Sequence, residues 1–130
     1  GQVSEWGAPT FEVWVARKDY AEKHPEVIAQ FAKVSLDAIA DYNAHQADWT
    51  ADSPNVQKIA ALTGANAQDI PELLQGAHFP STQEQKSARL LGGGTAKDLA
   101  QTAAFLKDQG KIESVSADYS GFVSDQYLPD

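Results

Sequence analysis

The apolar positions of the chain fall into one short extended segment followed by several helical stretches. From Thr10 to Arg17 the sequence is rich in β-branched and aromatic residues and follows the turn signal Gly7-Ala8-Pro9, which predicts a β-strand. We find no second segment of this quality in the sequence. Because a lone strand leaves its backbone N–H and C=O groups unpaired, we expect its partners to lie in missing sequence or in another chain.

Helical spacing and end signals predict five or six helices after this strand. The longest is expected over residues 25–46, with Pro25 at its first position and one buried apolar stripe. That stripe consists of Val27, Phe31, Val34, Ala38 and Tyr42. The other helices are expected from Ser53-Pro54 to Gly64, after Asn66 to Asp69 as far as Gly76, from Ser81 or Thr82 to the glycine run 92–94, from Thr95 to Gly110, and over residues 116–127.

Smaller signals refine this prediction. The pairs Asp19/Glu22 and Thr95/Asp98 have the spacing of a capping box, and Asp118-Tyr119-Ser120 is interpreted as a helix cap rather than a proton relay.

The run Gly92-Gly93-Gly94 predicts a hinge or a close approach of two backbone segments. It does not predict a phosphate loop, because the order Gly-Lys-Ser/Thr is absent and the run follows a helix.

Composition excludes several classes of function. Eighteen acidic and ten basic residues give a formal charge of -8 without a Lys/Arg stripe, so nucleic acid is not an expected partner. The absence of cysteine excludes disulfides, thiol catalysis and cysteine-bound zinc. His24, His45 and His78 have no metal-ligand spacing, and no nucleophile–base set is present. We therefore expect no enzyme, no cofactor and no metal site. Since the chain begins with Gly1 and lacks methionine, we expect it to be part of a longer product.

A long run near the start carries a family resemblance. It continues as far as Val27 and begins Trp6-Gly7-Ala8-Pro9-Thr10-Phe11-Glu12-Val13-Trp14-Val15-Ala16-Arg17. With Ile59 to Gly64, Thr102 to Lys111 and Asp118 to Ser120, this run resembles the periplasmic taurine-binding proteins of ABC importers. Residues 44–53 and 83–97 match less well, which weakens any statement about the precise sulfonate.

The resemblance implies an α/β fold of the type II periplasmic binding protein class, in which two lobes joined by hinge strands close on a small ligand. Residues 1–130 would be its C-terminal portion, with residues 1–18 as the hinge or strand segment and residues 19–130 as the helical part. The missing N-terminal portion would supply most of the sheet and part of the pocket. The implied function is capture of taurine in the periplasm and delivery to a membrane permease coupled to an ATPase.

Taurine carries an ammonium and a sulfonate, so its site needs an anion, several donors and an apolar wall. The resemblance implies that Glu12 receives the ammonium, whereas the residues alone favour a solvent-facing or salt-bridged Glu12. Strand alternation places Thr10 and Trp14 on the same face as Glu12, and Thr10 is expected to assist it. Trp6 either stacks on the ammonium or packs at the hinge. Packing is favoured for Trp14 and Trp49, and the sulfonate-binding residues are expected upstream of this chain.

Two other interpretations stay open at this point. The same fold would also suit another alkanesulfonate or small organic anion, which would leave Glu12 unpaired if it lacked an amine. Alternatively, the chain is a standalone helical module that self-associates by exchanging its strand with a second copy.

Overall fold

The computed structural model describes residues 10–130, which are mainly helical as predicted. The α-helices of this part are α1 (Lys18–Lys23), α2 (Pro25–Ala44), α3 (Pro54–Thr63), α4 (Ile70–Gln75), α5 (Thr82–Lys86) and α6 (Gly94–Asp108). Short 3₁₀ turns span Gln46–Asp48 and Ser120–Phe122. The chain divides into two compact units: a first unit up to Lys33 together with Thr82–Asp130, and a second unit over Val34–Ser81.

The predicted strand over Thr10–Arg17 is wrong for the chain as described. Residues 10–17 belong to neither a helix nor a strand. The physical reason is that residues 10–130 contain no second strand with which a hydrogen-bonded ladder would form. The helical part of the fold prediction is confirmed, and the α/β part is not.

The boundaries of α2 and α3 follow the sequence signals closely. Pro25 is the first residue of α2, as predicted. Pro54 opens α3, where the Ser53 Oγ atom accepts a hydrogen bond from the Val56 N–H at 3.4 Å. Gly64 ends α3 in the left-handed conformation with φ 75°, which costs glycine little.

Both predicted capping boxes are wrong. Arg17 occupies the cap position of α1, and Asp19 lies inside the helix, where its carboxylate accepts hydrogen bonds from the Arg17 guanidinium instead. At α6 the cap position belongs to Gly93, so Thr95 lies within the helix and is buried. In both helices the cap position lies two residues earlier than the side-chain pattern predicts.

The buried side of α2 is not the stripe that the spacing predicted. Tyr42 is buried as expected, but Val27, Phe31, Val34 and Ala38 are exposed. The neighbouring apolar positions turn inward instead, namely Ile28, Ala32, Leu36 and Ile39. Helix α2 therefore carries apolar residues on two sides, and one of these sides is exposed. Helices with apolar residues on several sides are normally buried in a protein core.

The second unit is held by an aromatic cluster on Tyr42. Its ring meets Trp49 edge-to-face at 5.1 Å and Phe79 at 5.2 Å between ring centroids, geometries that aromatic pairs prefer. Next to it, the Asn43 side-chain amide donates to the Phe79 carbonyl at 2.9 Å, which secures the end of α2. The expected packing role of Trp49 is confirmed. Helices α3 and α4 contact each other and bury Val56 and Ile70.

In the first unit, α5 ends at Lys86, whereas the sequence predicted a helix continuing to the glycine run. The Gly92 and Gly94 amides donate to the carbonyls of Ser87 and Ala88, both at 2.9 Å, so the chain reverses tightly before α6. A side chain at Gly92 or Gly94 would overlap the backbone of residues 86–89, and Gly93 has a φ of 142°. The predicted close backbone approach is confirmed.

The predicted helix over residues 116–127 is wrong, because only Ser120–Phe122 form a 3₁₀ turn. The Asp118 carboxylate accepts hydrogen bonds from the Ser120 backbone N–H at 2.8 Å and from its hydroxyl at 2.6 Å. The hydroxyl contributes most to lowering the pKa of Asp118. The predicted cap is therefore wrong: no helix longer than the 3₁₀ turn follows, Tyr119 occupies the cap position of this turn without a side-chain cap bond, and Asp118 stabilises a local turn instead.

We expect Gly94→Ala to destabilise the chain by about 1–3 kcal/mol, because the new methyl group must displace the Arg89 backbone. Urea unfolding measures this loss. Gly121→Ala is the matched control, since the space around Gly121 is open within 4 Å. Equal midpoints for the two variants would show that the backbone approach at Gly94 is not tight.

We expect Val56→Ala to lower the free energy of unfolding by about 2 kcal/mol, because Val56 is fully buried in α3. Leu62→Ala in the same helix is the control, since the Leu62 side chain is 87% exposed and its loss should change stability by less than about 0.5 kcal/mol. Similar losses in both variants would contradict the placement of the core on the Val56 side of α3.

Candidate functional site

The extended segment, residues 10–17, is exposed along its entire length. The backbone groups of residues 10–16 make no backbone hydrogen bond to another described residue. The first such bonds appear at Arg17, whose carbonyl accepts from the Tyr20 and Ala21 amides at 3.1 and 3.0 Å. Up to the start of α1, the side chains of this segment are exposed, and no described residue pairs with the backbone of residues 10–16.

Glu12 and Thr10 lie on this extended segment and are both exposed. No ion pair or hydrogen bond joins Glu12 to another of residues 10–130. The salt-bridge interpretation of Glu12 therefore finds no support in this part of the chain. Its carboxylate is accessible to a partner that these residues do not supply. Trp6, the third predicted site residue, lies outside the described residues.

Alternation along the segment does not bury one side, in contrast to the expectation for a strand. Phe11, Val13 and Val15 are exposed, and so is Trp14 on the other side. Apolar side chains of this size are normally covered in a folded protein. Glu12 is therefore a charged group among apolar neighbours that are themselves uncovered.

Trp14 attaches the extended segment to α2. Its ring meets Phe31 edge-to-face, with 5.1 Å between the centroids and an angle of 87° between the planes. Because Trp14 is 80% exposed, this contact covers only a small part of its ring, and the packing role favoured for Trp14 stays a prediction. The sequence contained no signal for the choice of partner, since the two aromatic residues are 17 positions apart.

Arg17 and Asp19 form a two-pronged ion pair where the segment enters α1. The Arg17 Nε and Nη2 atoms donate to the Asp19 Oδ1 and Oδ2 atoms at 3.0 and 2.8 Å. This pairing lowers the pKa of Asp19 and raises the pKa of Arg17. The opposite charges two positions apart were a signal for this pair that the capping-box interpretation missed.

A depression at α4 does not resemble a taurine site. It is lined by Asp69, Glu72, Leu73, Gly76 and Ala77, which include neither Thr10 nor Glu12. Its two carboxylates would repel a sulfonate, and the lining offers no cation to bind one. The depression is therefore not a candidate for the ligand site.

The glycine run at α6 does not offer donors to an anion either. The amides of Gly92, Gly93, Gly94 and Thr95 donate to the carbonyls of Ser87, Leu90, Ala88 and Leu90, respectively. Backbone amides that bind an anion must point at it rather than at carbonyl groups. This geometry agrees with the sequence argument against a phosphate loop.

Residues 10–130 contain no group of three or more His, Cys, Asp or Glu side chains that is arranged to hold a metal ion. None of the helices in this range has the length and apolar character needed to cross a membrane.

Comparison with curated proteins identifies a relative. The chain is 43% identical over 127 residues, or 98% of its length, to the taurine-binding periplasmic protein of Escherichia coli (strain K12). It spans 39% of the length of that relative. No family model matches the chain. The resemblance to periplasmic taurine-binding proteins is thereby confirmed, and the name of the relative describes a binding protein rather than an enzyme.

We expect Arg17→Gln to raise the pKa of Asp19 toward its ordinary value of 3.8, because the guanidinium no longer stabilises the carboxylate. Because folding lowers the pKa of Asp19, the ion pair stabilises the folded chain at pH values above the pKa of Asp19 in the unfolded chain. This stabilisation is lost as the pH falls through the pKa of Asp19 in the folded chain. NMR titration of the carboxyl carbon measures the change. Lys18→Gln is the control, since Lys18 pairs with Glu22 instead; an equal pKa of Asp19 in both variants would contradict the assignment.

Proposed function

We propose that this chain is part of a solute-binding protein that captures taurine in the periplasm and delivers it to the permease and ATPase of an ABC importer. The observation that carries the proposal is the 43% identity over 98% of the chain to a taurine-binding periplasmic protein. Capture and delivery require binding without chemistry on the ligand. The absence of a nucleophile–base set in the sequence agrees with that requirement.

Glu12 is the proposed partner of the taurine ammonium. Its carboxylate is exposed and has no cationic partner among residues 10–130, while Phe11 and Val13 flank it with apolar side chains. Once the remaining protein closes over this segment, a carboxylate in apolar surroundings needs a positive charge beside it. An ammonium donates charge-assisted hydrogen bonds that are stronger than those between neutral groups. Thr10 is proposed to assist through its hydroxyl, and Trp6 to wall the ligand.

The rest of the pocket is proposed to come from polypeptide outside these 130 residues. The chain spans 39% of the length of its relative, so most of a protein of that size lies elsewhere. In the proposed α/β fold of two lobes, that part supplies most of the sheet and the groups that bind the sulfonate. Backbone amides at helix N-termini suit a sulfonate, because they combine donors with the positive end of the helix dipole.

We expect Glu12→Gln in the longer protein to weaken taurine binding about tenfold or more, since a charge-assisted hydrogen bond contributes roughly 1.5–3 kcal/mol. Titration calorimetry measures the dissociation constant. Glu113→Gln removes another exposed carboxylate with the same change in net charge and should leave the affinity unchanged. Unchanged affinity in Glu12→Gln would remove Glu12 from the site.

Ethanesulfonate, which lacks the amine, separates taurine from the alternative sulfonate ligands. If the Glu12 carboxylate binds the ammonium, the wild type binds ethanesulfonate more weakly than taurine. Glu12→Gln then reduces the difference between the two affinities. Competition calorimetry with both ligands measures this. Tighter binding of ethanesulfonate to the wild type would favour another alkanesulfonate or small organic anion as the ligand.

A further inference from the structure

We infer that Trp14 is a specificity-determining residue of the proposed taurine site, in which one face of its indole ring lies beside Glu12 and attracts the ammonium of the ligand. The inference rests on the proposed function, because it adds a residue to the same site. It assigns Trp14 a ligand contact in addition to the ring contact with Phe31.

Most of the Trp14 ring is available for such a contact. Trp14 is 80% exposed, although tryptophan is highly buried on average. Among residues 10–130, the aromatic ring that contacts it belongs to Phe31, with 5.1 Å between the centroids and 87° between the planes. An edge-to-face contact of this kind leaves at least one face of the indole uncovered by the described residues.

The contact with Phe31 also restricts the position of the ring. Phe31 belongs to α2, a helix of 20 residues, so the indole is attached to a regular element as well as to the extended segment. A side chain that is already held in place loses less conformational freedom when a ligand binds. Packing on Phe31 and contact with a ligand are therefore compatible, since they use different parts of one ring.

Trp14 has the right spacing from Glu12 to share a ligand with it. In an extended backbone, side chains two positions apart point to the same side, with their Cα atoms about 7 Å apart. The neighbouring Val13 and Val15 alternate to the other side. An ammonium that accepts the Glu12 carboxylate as its hydrogen-bond partner can then lie within about 6 Å of the indole centroid, which is the range of a cation–π contact.

The cations that follow in the chain occupy neither group. Arg17 donates to Asp19 at 3.0 and 2.8 Å, and Lys18 forms an ion pair with Glu22 at 3.9 Å. Both positive side chains are therefore paired with acids of α1. The Glu12 carboxylate and the indole face are left for a cation that the described residues do not supply, and the taurine ammonium is a cation of this kind.

Titration calorimetry of the longer protein with taurine tests the inference. We expect Trp14→Leu to weaken taurine binding by about threefold to thirtyfold, which is the range of a cation–π contact. Trp14→Phe keeps an aromatic ring and should lose less affinity, since tryptophan is the strongest aromatic partner of a cation. Phe122→Leu is the control, because it changes another aromatic side chain that is 72% exposed, and it should leave the affinity unchanged.

Competition calorimetry with ethanesulfonate separates ligand contact from packing, because this ligand has no ammonium. If the indole contacts the ammonium, Trp14→Leu weakens the binding of taurine alone, and the preference of the wild type for taurine falls by the same factor. An equal loss for both ligands would show that the substitution acts through packing. Unchanged affinity for both ligands would show that Trp14 does not contribute to binding. Either result would overturn the inference.

The proposed function and this inference fail in different ways. A wild type that does not bind taurine would overturn both, whereas a wild type that binds taurine together with full affinity in Trp14→Leu would overturn the inference alone. Thermal unfolding without ligand shows whether Trp14→Leu is folded. If it is not, the same comparison of ligands is made with Trp14→Phe, which must lower the preference for taurine by about twofold. An unchanged preference in that folded variant would overturn the inference.

Discussion

An extended backbone needs hydrogen-bonding partners, and the structure of residues 10–16 depends on whether such partners are present. Residues 10–16 have the composition of a strand, yet no other described segment completes a ladder with them, and they lie exposed instead. The side chains also lack apolar contacts: Val15 of the segment is exposed, and so is the side of α2 that carries Val27 and Phe31. The unpaired backbone and the exposed side chains lie in the same unit, where Trp14 of the segment contacts Phe31 of α2. Together they leave an uncovered apolar surface among the described residues of the first unit.

Away from that surface, local chemistry is sufficient to form structure. In the second unit Tyr42 gathers Trp49 and Phe79, and the Asn43 amide secures the same region. In the first unit the glycine run reverses the chain within a few residues, because side chains at Gly92 and Gly94 would meet the backbone before them. These features need no partner. The candidate ligand segment differs from them in that its one charged carboxylate, Glu12, has neither a cation nor a cleft among the described residues.

The sequence correctly predicted those features that depend on interactions between residues a few positions apart, above all the helix ends. Pro25, the Ser53-Pro54 start and the Gly64 stop set helix ends through fixed backbone preferences, and the structure has them where expected. The strand and the buried stripe of α2 were wrong because both depend on what packs against them. Spacing alone did not distinguish the Val27–Phe31 side of α2 from the Ile28–Leu36 side, since both are apolar. The family resemblance was correct because it used residue identities over the whole chain, whereas the roles of Trp6, Thr10 and Glu12 stay predictions.

The central claim is that the exposed segment of this chain is covered by other polypeptide in the longer protein, and the side chain of Trp14 reports on this directly. Hydroxyl-radical footprinting with mass spectrometry compares its oxidation in the 130-residue chain and in the longer protein. The account predicts rapid oxidation in the chain, where Trp14 is 80% exposed, and strong protection in the longer protein. Equal oxidation in the two proteins would contradict it.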